Sequence, residues 1–105
     1  MYYLGLDVGS SSVKAALVEA KSGKSIQSVH EPKNEMSISS LKNDWAEQDP
    51  NVWWKHTCTA IKRVCKESNI DPKKIISIGI SYQMHGLVIV DKNGEPLRDS
   101  IIWCD

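Results

Sequence analysis

Tyr2-Tyr3-Leu4-Gly5-Leu6-Asp7-Val8-Gly9-Ser10-Ser11-Ser12-Val13-Lys14-Ala15-Ala16-Leu17-Val18 decides how this chain is read, because it sets an acidic residue and a run of small residues between two apolar segments. Tyr2 to Leu6 has the length and bulk of a buried central strand rather than of a helix. Val13 to Val18 is again strand-like. Two strands joined so tightly form an antiparallel hairpin, for which Gly9 supplies the backbone freedom of a tight turn. The small side chains also leave backbone N–H groups open to an anion: those around Gly9, Ser10 and Ser11 form a concave site, and the serine hydroxyls add donors. Asp7 would repel a phosphate directly, so its natural role is to hold a magnesium ion, through water, that neutralises phosphate charge. The Gly-Lys-Ser/Thr ending of a P-loop is absent and the segment runs into a strand, which excludes the P-loop and the dinucleotide fingerprint. Taken alone, an Asp-x-Gly followed by serines is in most proteins a polar hairpin turn.

Composition narrows the class. With 13 Lys+Arg against 13 Asp+Glu over 105 residues, the chain is one domain at most and carries no charge bias toward nucleic acid or acidic membranes. No apolar run approaches the roughly 20 residues of a membrane helix. The N-terminal apolar run breaks at Asp7, unlike a signal peptide, so cytoplasmic residence is expected. Cys58, Cys65 and Cys104 lack the short paired spacing of a disulfide framework or zinc site and read as reduced thiols. Cys58 and Cys65 stand two turns apart on one helix face, where small core residues are the simpler reading than a metal site with His56.

Beyond Val18, Lys21-Ser22-Gly23-Lys24 marks a second tight turn, and Ser25 to Glu31 an edge strand ended by Pro32. Lys33 to Gln48 is a polar excursion with room for one short strand. Asp49 and Pro50 are an N-cap and first helical residue, and Trp53, Thr57, Ala60, Ile61 and Val64 recur at helical spacing until Ser68-Asn69. Trp45, Trp53 and Trp54 are assigned to packing at the helix start. Ile75 to Ser81 is the strongest strand, returning to the same sheet by a right-handed crossover. Gln83-Met84-His85-Gly86 stands at its C-terminal end, where open α/β sheets place ligand contacts. Gln83 and His85 have the groups to hydrogen-bond a polyol and Met84 to pack on its carbon face; the alternative for His85 is a structural histidine in a bend at Gly86. A hairpin is expected next, from Leu87-Val90 through Asp91-Lys92-Asn93-Gly94 to Leu97. Ile101-Ile102-Trp103 reads as a buried strand cut by the end of the chain, which implies a truncated domain.

Four segments together, Asp7 to Lys14, Trp45 to Pro50, Gln83 to Gly86 and Ile102 to Asp105, resemble the N-terminal part of the FGGY carbohydrate kinases, and among them those acting on D-xylulose. The resemblance spans nearly the whole chain. It implies a ribonuclease-H-like α/β fold of the actin, sugar kinase and Hsp70 superfamily: a mixed sheet with a crossover helix, here an incomplete first domain over residues 1–105. It implies ATP-dependent phosphorylation of D-xylulose to D-xylulose 5-phosphate, with ATP and Mg as cofactors. By motif match Asp7 would be the carboxylate linked to Mg, through water, and Gly9, Ser10 and Ser11 would lie at the transferred phosphate. Lys14 either joins them or faces solvent on the hairpin. Gln83, Met84 and His85 contact the sugar, with Trp103 and Asp105 as further candidates. The family often has Thr where this chain has Ser10, which keeps the hydroxyl, and Gly where it has Ser12, which adds a side chain to a tight turn.

The general base and most of the adenosine pocket are implied to lie beyond Asp105, so no catalytic residue is expected here and the 105-residue chain is expected to be inactive alone. Uncovered sheet edges would favour a homodimer. Two alternatives stand beside a D-xylulose kinase: another FGGY kinase acting on ribulose, gluconate or glycerol, and a non-catalytic actin-like or sugar-sensing module.

Overall fold

The computed structural model describes residues 1–42 and 45–103. β1 (Tyr2–Val8) and β2 (Val13–Glu19) form the expected antiparallel hairpin, with Val8 opposite Val13 and Gly9 to Ser12 as the turn. β3 (Ser25–Glu31) pairs antiparallel with β2 and stops at Pro32. β4 is the short Glu47–Gln48 strand. α1 (Pro50–Ser68) then crosses the sheet, and a 3-10 turn at Pro72–Lys74 leads into β5 (Ile75–Tyr82), parallel to β1. The main sheet has the order β3-β2-β1-β5, which makes β1 central and β3 an edge. β6 (Ser100–Ile101) pairs with β4 in a separate two-stranded sheet.

Period-two alternation explains which face is covered. Leu4 and Leu6 of β1, Val13, Ala15 and Leu17 of β2 and Val29 of β3 all point to one side, where Thr57, Ala60, Val64 and Cys65 of α1 meet them. Register sets Leu4 against Leu17 and Leu6 against Ala15, so large and small residues share the layer. Burial pushes the Cys65 thiol above its ordinary value. The helix begins where its sequence says it should: Asp49 Oδ1 accepts the Asn51 N–H at 2.9 Å, and Pro50 follows it. It ends at Asn69, in the left-handed conformation that asparagine tolerates, with its N–H returned to Lys66 O. Arg63 pairs with Glu31 and Glu67, tying the helix to the end of β3, and the Glu31 carboxylate raises the guanidinium above its usual range.

Four expectations change. Gly9 does not adopt a left-handed φ, which among glycines belongs to Gly23 and Gly94. A Cβ at Gly9 would instead sit 3.1 Å from Ser12 O, so close approach of backbone to backbone requires the glycine. Ser12 also lies outside the left-handed region, which is why a side chain is tolerated there. The hairpin over 87–97 is shorter than expected: Asp91 N–H donates to Glu95 O and Leu97 N–H to Ile89 O, both at 2.9 Å, around the Val90–Pro96 bridge and a turn with Gly94 at φ 80, while Leu87 bridges to Ile101. The final apolar run contributes only β6 and the buried Ile102, while Trp103 is 60% exposed. Among the tryptophans Trp53 is half-buried, but Trp54 lies 68% exposed on the outer face of α1 and Trp45 stacks under the Lys42 ammonium at 4.8 Å.

Candidate functional site

Parallel pairing of β1 with β5 brings their carboxyl ends together, and the Gln83 N–H donates to Val8 O at 3.0 Å. The turn after β1 and the segment after β5 are thereby adjacent. Within the turn, the Gly9 N–H is used: it donates to Ser12 O at 3.0 Å and closes the loop. This corrects the expected anion site, from which Gly9 drops out as a donor. The N–H groups of Ser10, Ser11 and Ser12 have no protein partner among the described residues. The carbonyls of the first two serines are held from outside the turn, Ser10 O by Gln48 Nε2 at 2.5 Å and Ser11 O by the Met36 N–H at 2.8 Å.

Asp7 and Lys14 are cross-strand partners, and Asp7 is also in register with Ser81. All three lie on the sheet face opposite α1, lining an open groove of about 500 Å³ whose floor is Gly5, Ala16 and Gly79. Neither Asp7 nor Lys14 joins an ion pair among the described residues. An exposed single carboxylate of this kind suits a magnesium ion that keeps its own water shell. No group of three or more His, Cys, Asp or Glu gathers as a metal cage among the described residues.

On the other side, Gln83 and His85 share a pocket of about 200 Å³ with Val8, Trp53, Tyr82, Gly86 and Val88. Both polar atoms of the Gln83 amide are buried there without a protein partner, a state that calls for a ligand or water. His85, not Gly86, makes the bend, with φ 60. A non-glycine residue held left-handed at a strand end is a feature of functional loops. Met84 is 67% exposed at the same bend. The Leu87–Ile101 bridge brings the stretch that leads to Trp103 alongside this segment, although Trp103 does not line the pocket. Asp105, with Cys104, lies outside the described residues. The structure thus gathers the serine turn and Gln83–Gly86 at one end of the sheet, while Asp7 and Lys14 open onto the other face.

Sequence reasoning passed over the residues that hold this end together. Gln48 is 3% exposed and binds Ser10 O, Ser37 O and the Trp53 indole, and Glu47, 4% exposed, pairs with Arg98. The available signal is two polar side chains immediately before an N-cap, in the excursion with room for one short strand, which β4 supplies.

Loops that meet at the carboxyl ends of parallel strands stand where α/β domains bind their ligands. Comparison with known sequences makes the class specific: the chain belongs to the FGGY family of carbohydrate kinases, whose N-terminal domain matches residues 2–105. It is 40% identical over 102 residues to a xylulose kinase of Staphylococcus epidermidis, covering 97% of this chain and 20% of that protein. The fold superposes on a xylulose kinase from Brucella ovis with a TM-score of 0.90 at 36% identity, covering 100% of this chain and 21% of that one. It matches a gluconate kinase from Lactobacillus acidophilus with a TM-score of 0.85 at 32% identity, over 99% of this chain and 20% of the other. The expected sugar-kinase fold is therefore the one found, and the chain spans about a fifth of the length of these relatives.

Proposed function

We propose that this chain is the N-terminal part of an ATP-dependent sugar kinase that converts D-xylulose to D-xylulose 5-phosphate. The observation that carries the reading is the meeting of the serine turn with Gln83–Gly86 at the ends of β1 and β5, fixed by the Gln83 to Val8 hydrogen bond. Ser10 and Ser11 donate to the transferred phosphate, and Lys14 adds positive charge on the Asp7 face. Asp7 is the residue that would hold magnesium, through water; the ion, when bound, neutralises the charge on the phosphates. Met84 and His85 orient the sugar, and Gln83 uses its unpartnered amide for a sugar hydroxyl. The general base and most of the adenosine pocket belong to sequence outside these residues, so the 105-residue chain has no turnover by itself. Cytoplasmic residence and a homodimer formed along the bare β5 edge belong to the same reading.

The test is ADP release by the protein expressed from its complete reading frame, with D-xylulose, L-ribulose, gluconate and glycerol offered in parallel. D-xylulose should be the preferred substrate, and Asp7→Ala and His85→Ala should each lower kcat/KM by about 100-fold or more. Preference for gluconate would keep the kinase and move the substrate. Silence with every sugar from a folded protein would favour a sugar-sensing module.

A further inference from the structure

We infer that Gln48 is a positioning residue of the phosphate turn, setting the direction of the Ser11 N–H, and that Trp53 sets Gln48. The indole N–H is a donor only, so the amide oxygen of Gln48 must face Trp53, which it does at 2.9 Å. The amide nitrogen is thereby turned toward the two acceptors on its other side, Ser10 O at 2.5 Å and Ser37 O at 3.4 Å. A trans peptide is planar, with its C=O and N–H pointing in opposite directions. Drawing Ser10 O toward Gln48 therefore aims the Ser11 N–H away from it. The next peptide is set in the same way by a different group, because the Met36 N–H holds Ser11 O and so turns the Ser12 N–H outward. Two successive N–H groups without protein partners among the described residues are thereby each aimed away from the group that holds its carbonyl, and in a turn such a pair can form an anion-binding nest. Gln48 is 3% exposed and sits immediately before the Asp49 cap, so α1 and the turn are coupled through a single side chain.

This inference rests on the phosphate reading of the turn, and its test separates the two. Residual dipolar couplings of backbone N–H groups and a pyrophosphate titration would be recorded on the isotope-labelled 105-residue chain. In Gln48→Met the Ser11 coupling should fall toward zero, while the Ser12 coupling, held by Met36, and those of β1 and β2 stay as in the wild type. Pyrophosphate binding should weaken about tenfold, the scale of one lost hydrogen bond to an anion site. Trp53→Phe should move both readouts the same way by less, and adding it to Gln48→Met should change nothing further. A Ser11 coupling that survives in Gln48→Met, or one lost together with Ser12, overturns the inference. If the wild type binds no pyrophosphate, the phosphate reading fails and with it the role assigned to Gln48, even where the couplings respond. If Gln48→Met does not fold, Trp53→Phe alone decides by the same Ser11 and Ser12 comparison.

Discussion

β1 and β5 lie side by side, run parallel and have similar apolar patterns, yet one is core and the other is surface. Register sets Leu4 beside Ile78 and Leu6 beside Ile80, on the same face of the sheet. Leu4 and Leu6 are 2% and 7% exposed, while Ile78 and Ile80 are 54% and 62% exposed. The difference is α1, which lies over β2 and β3, only reaches β1, and leaves β5 bare. Burial is therefore a property of the cover, not of the strand, and an isoleucine-rich strand says only that something is meant to lie on it.

The largest effect should separate the two strands outright. Leu4→Ala should destabilise the chain by about 2–5 kcal/mol, the range for truncating a buried leucine, and Ile78→Ala by less than about 0.5 kcal/mol. Urea denaturation of both variants checks this, and equal losses would mean that β5 is covered in solution. Two glycines sharpen the contrast at smaller magnitude. Gly9→Ala pushes a Cβ against Ser12 O, which the Gly9 N–H itself holds, and should cost about 1 kcal/mol. Gly79→Ala meets nothing within 4 Å and should stabilise β5 by about 0.5 kcal/mol through lower backbone entropy in the unfolded chain. The same denaturation curves should show opposite shifts.

The smallest change in stability should bring a change in association. Ile76, Ile78, Ile80 and Tyr82 form an uncharged apolar row on a strand whose outer edge is unpaired among the described strands. Such an edge is a template for a second copy. Paired antiparallel about Gly79, Ile78 would meet Ile80 and Ile76 would meet Tyr82. Ile80→Lys should leave the unfolding free energy within about 0.5 kcal/mol and shift sedimentation toward monomer. A wild-type chain that is monomeric at high concentration would remove the dimer from the proposal.

Much of the fold is legible in the residues because the signals are local. Asp49-Pro50 and Asn69 mark the helix ends through caps that involve near neighbours, and Pro32 and Gly23 punctuate strands for equally local reasons. The hairpin after Gly86 forms but is short: the Asp91 and Leu97 N–H groups close it onto Glu95 O and Ile89 O, while Leu87 bridges to Ile101 instead, a distant partner that its neighbours along the chain do not signal. Of the candidate site, the serine turn and Gln83–Gly86 were visible as small and polar residues at strand ends. Gln48 was not, because a glutamine before a helix cap looks the same whether it faces water or three partners.

The first hairpin, the helix with its caps, the strand that follows it and the family to which all of these belong are written in the residues alone, since each depends on propensity, periodicity or motif within a few residues. Folding in three dimensions settles which apolar strand is covered, that His85 rather than Gly86 makes the bend, and that Gln48 reaches 38 positions back to Ser10. Those outcomes depend on which surfaces meet, and contacts between distant segments are fixed by packing, not by neighbours along the chain.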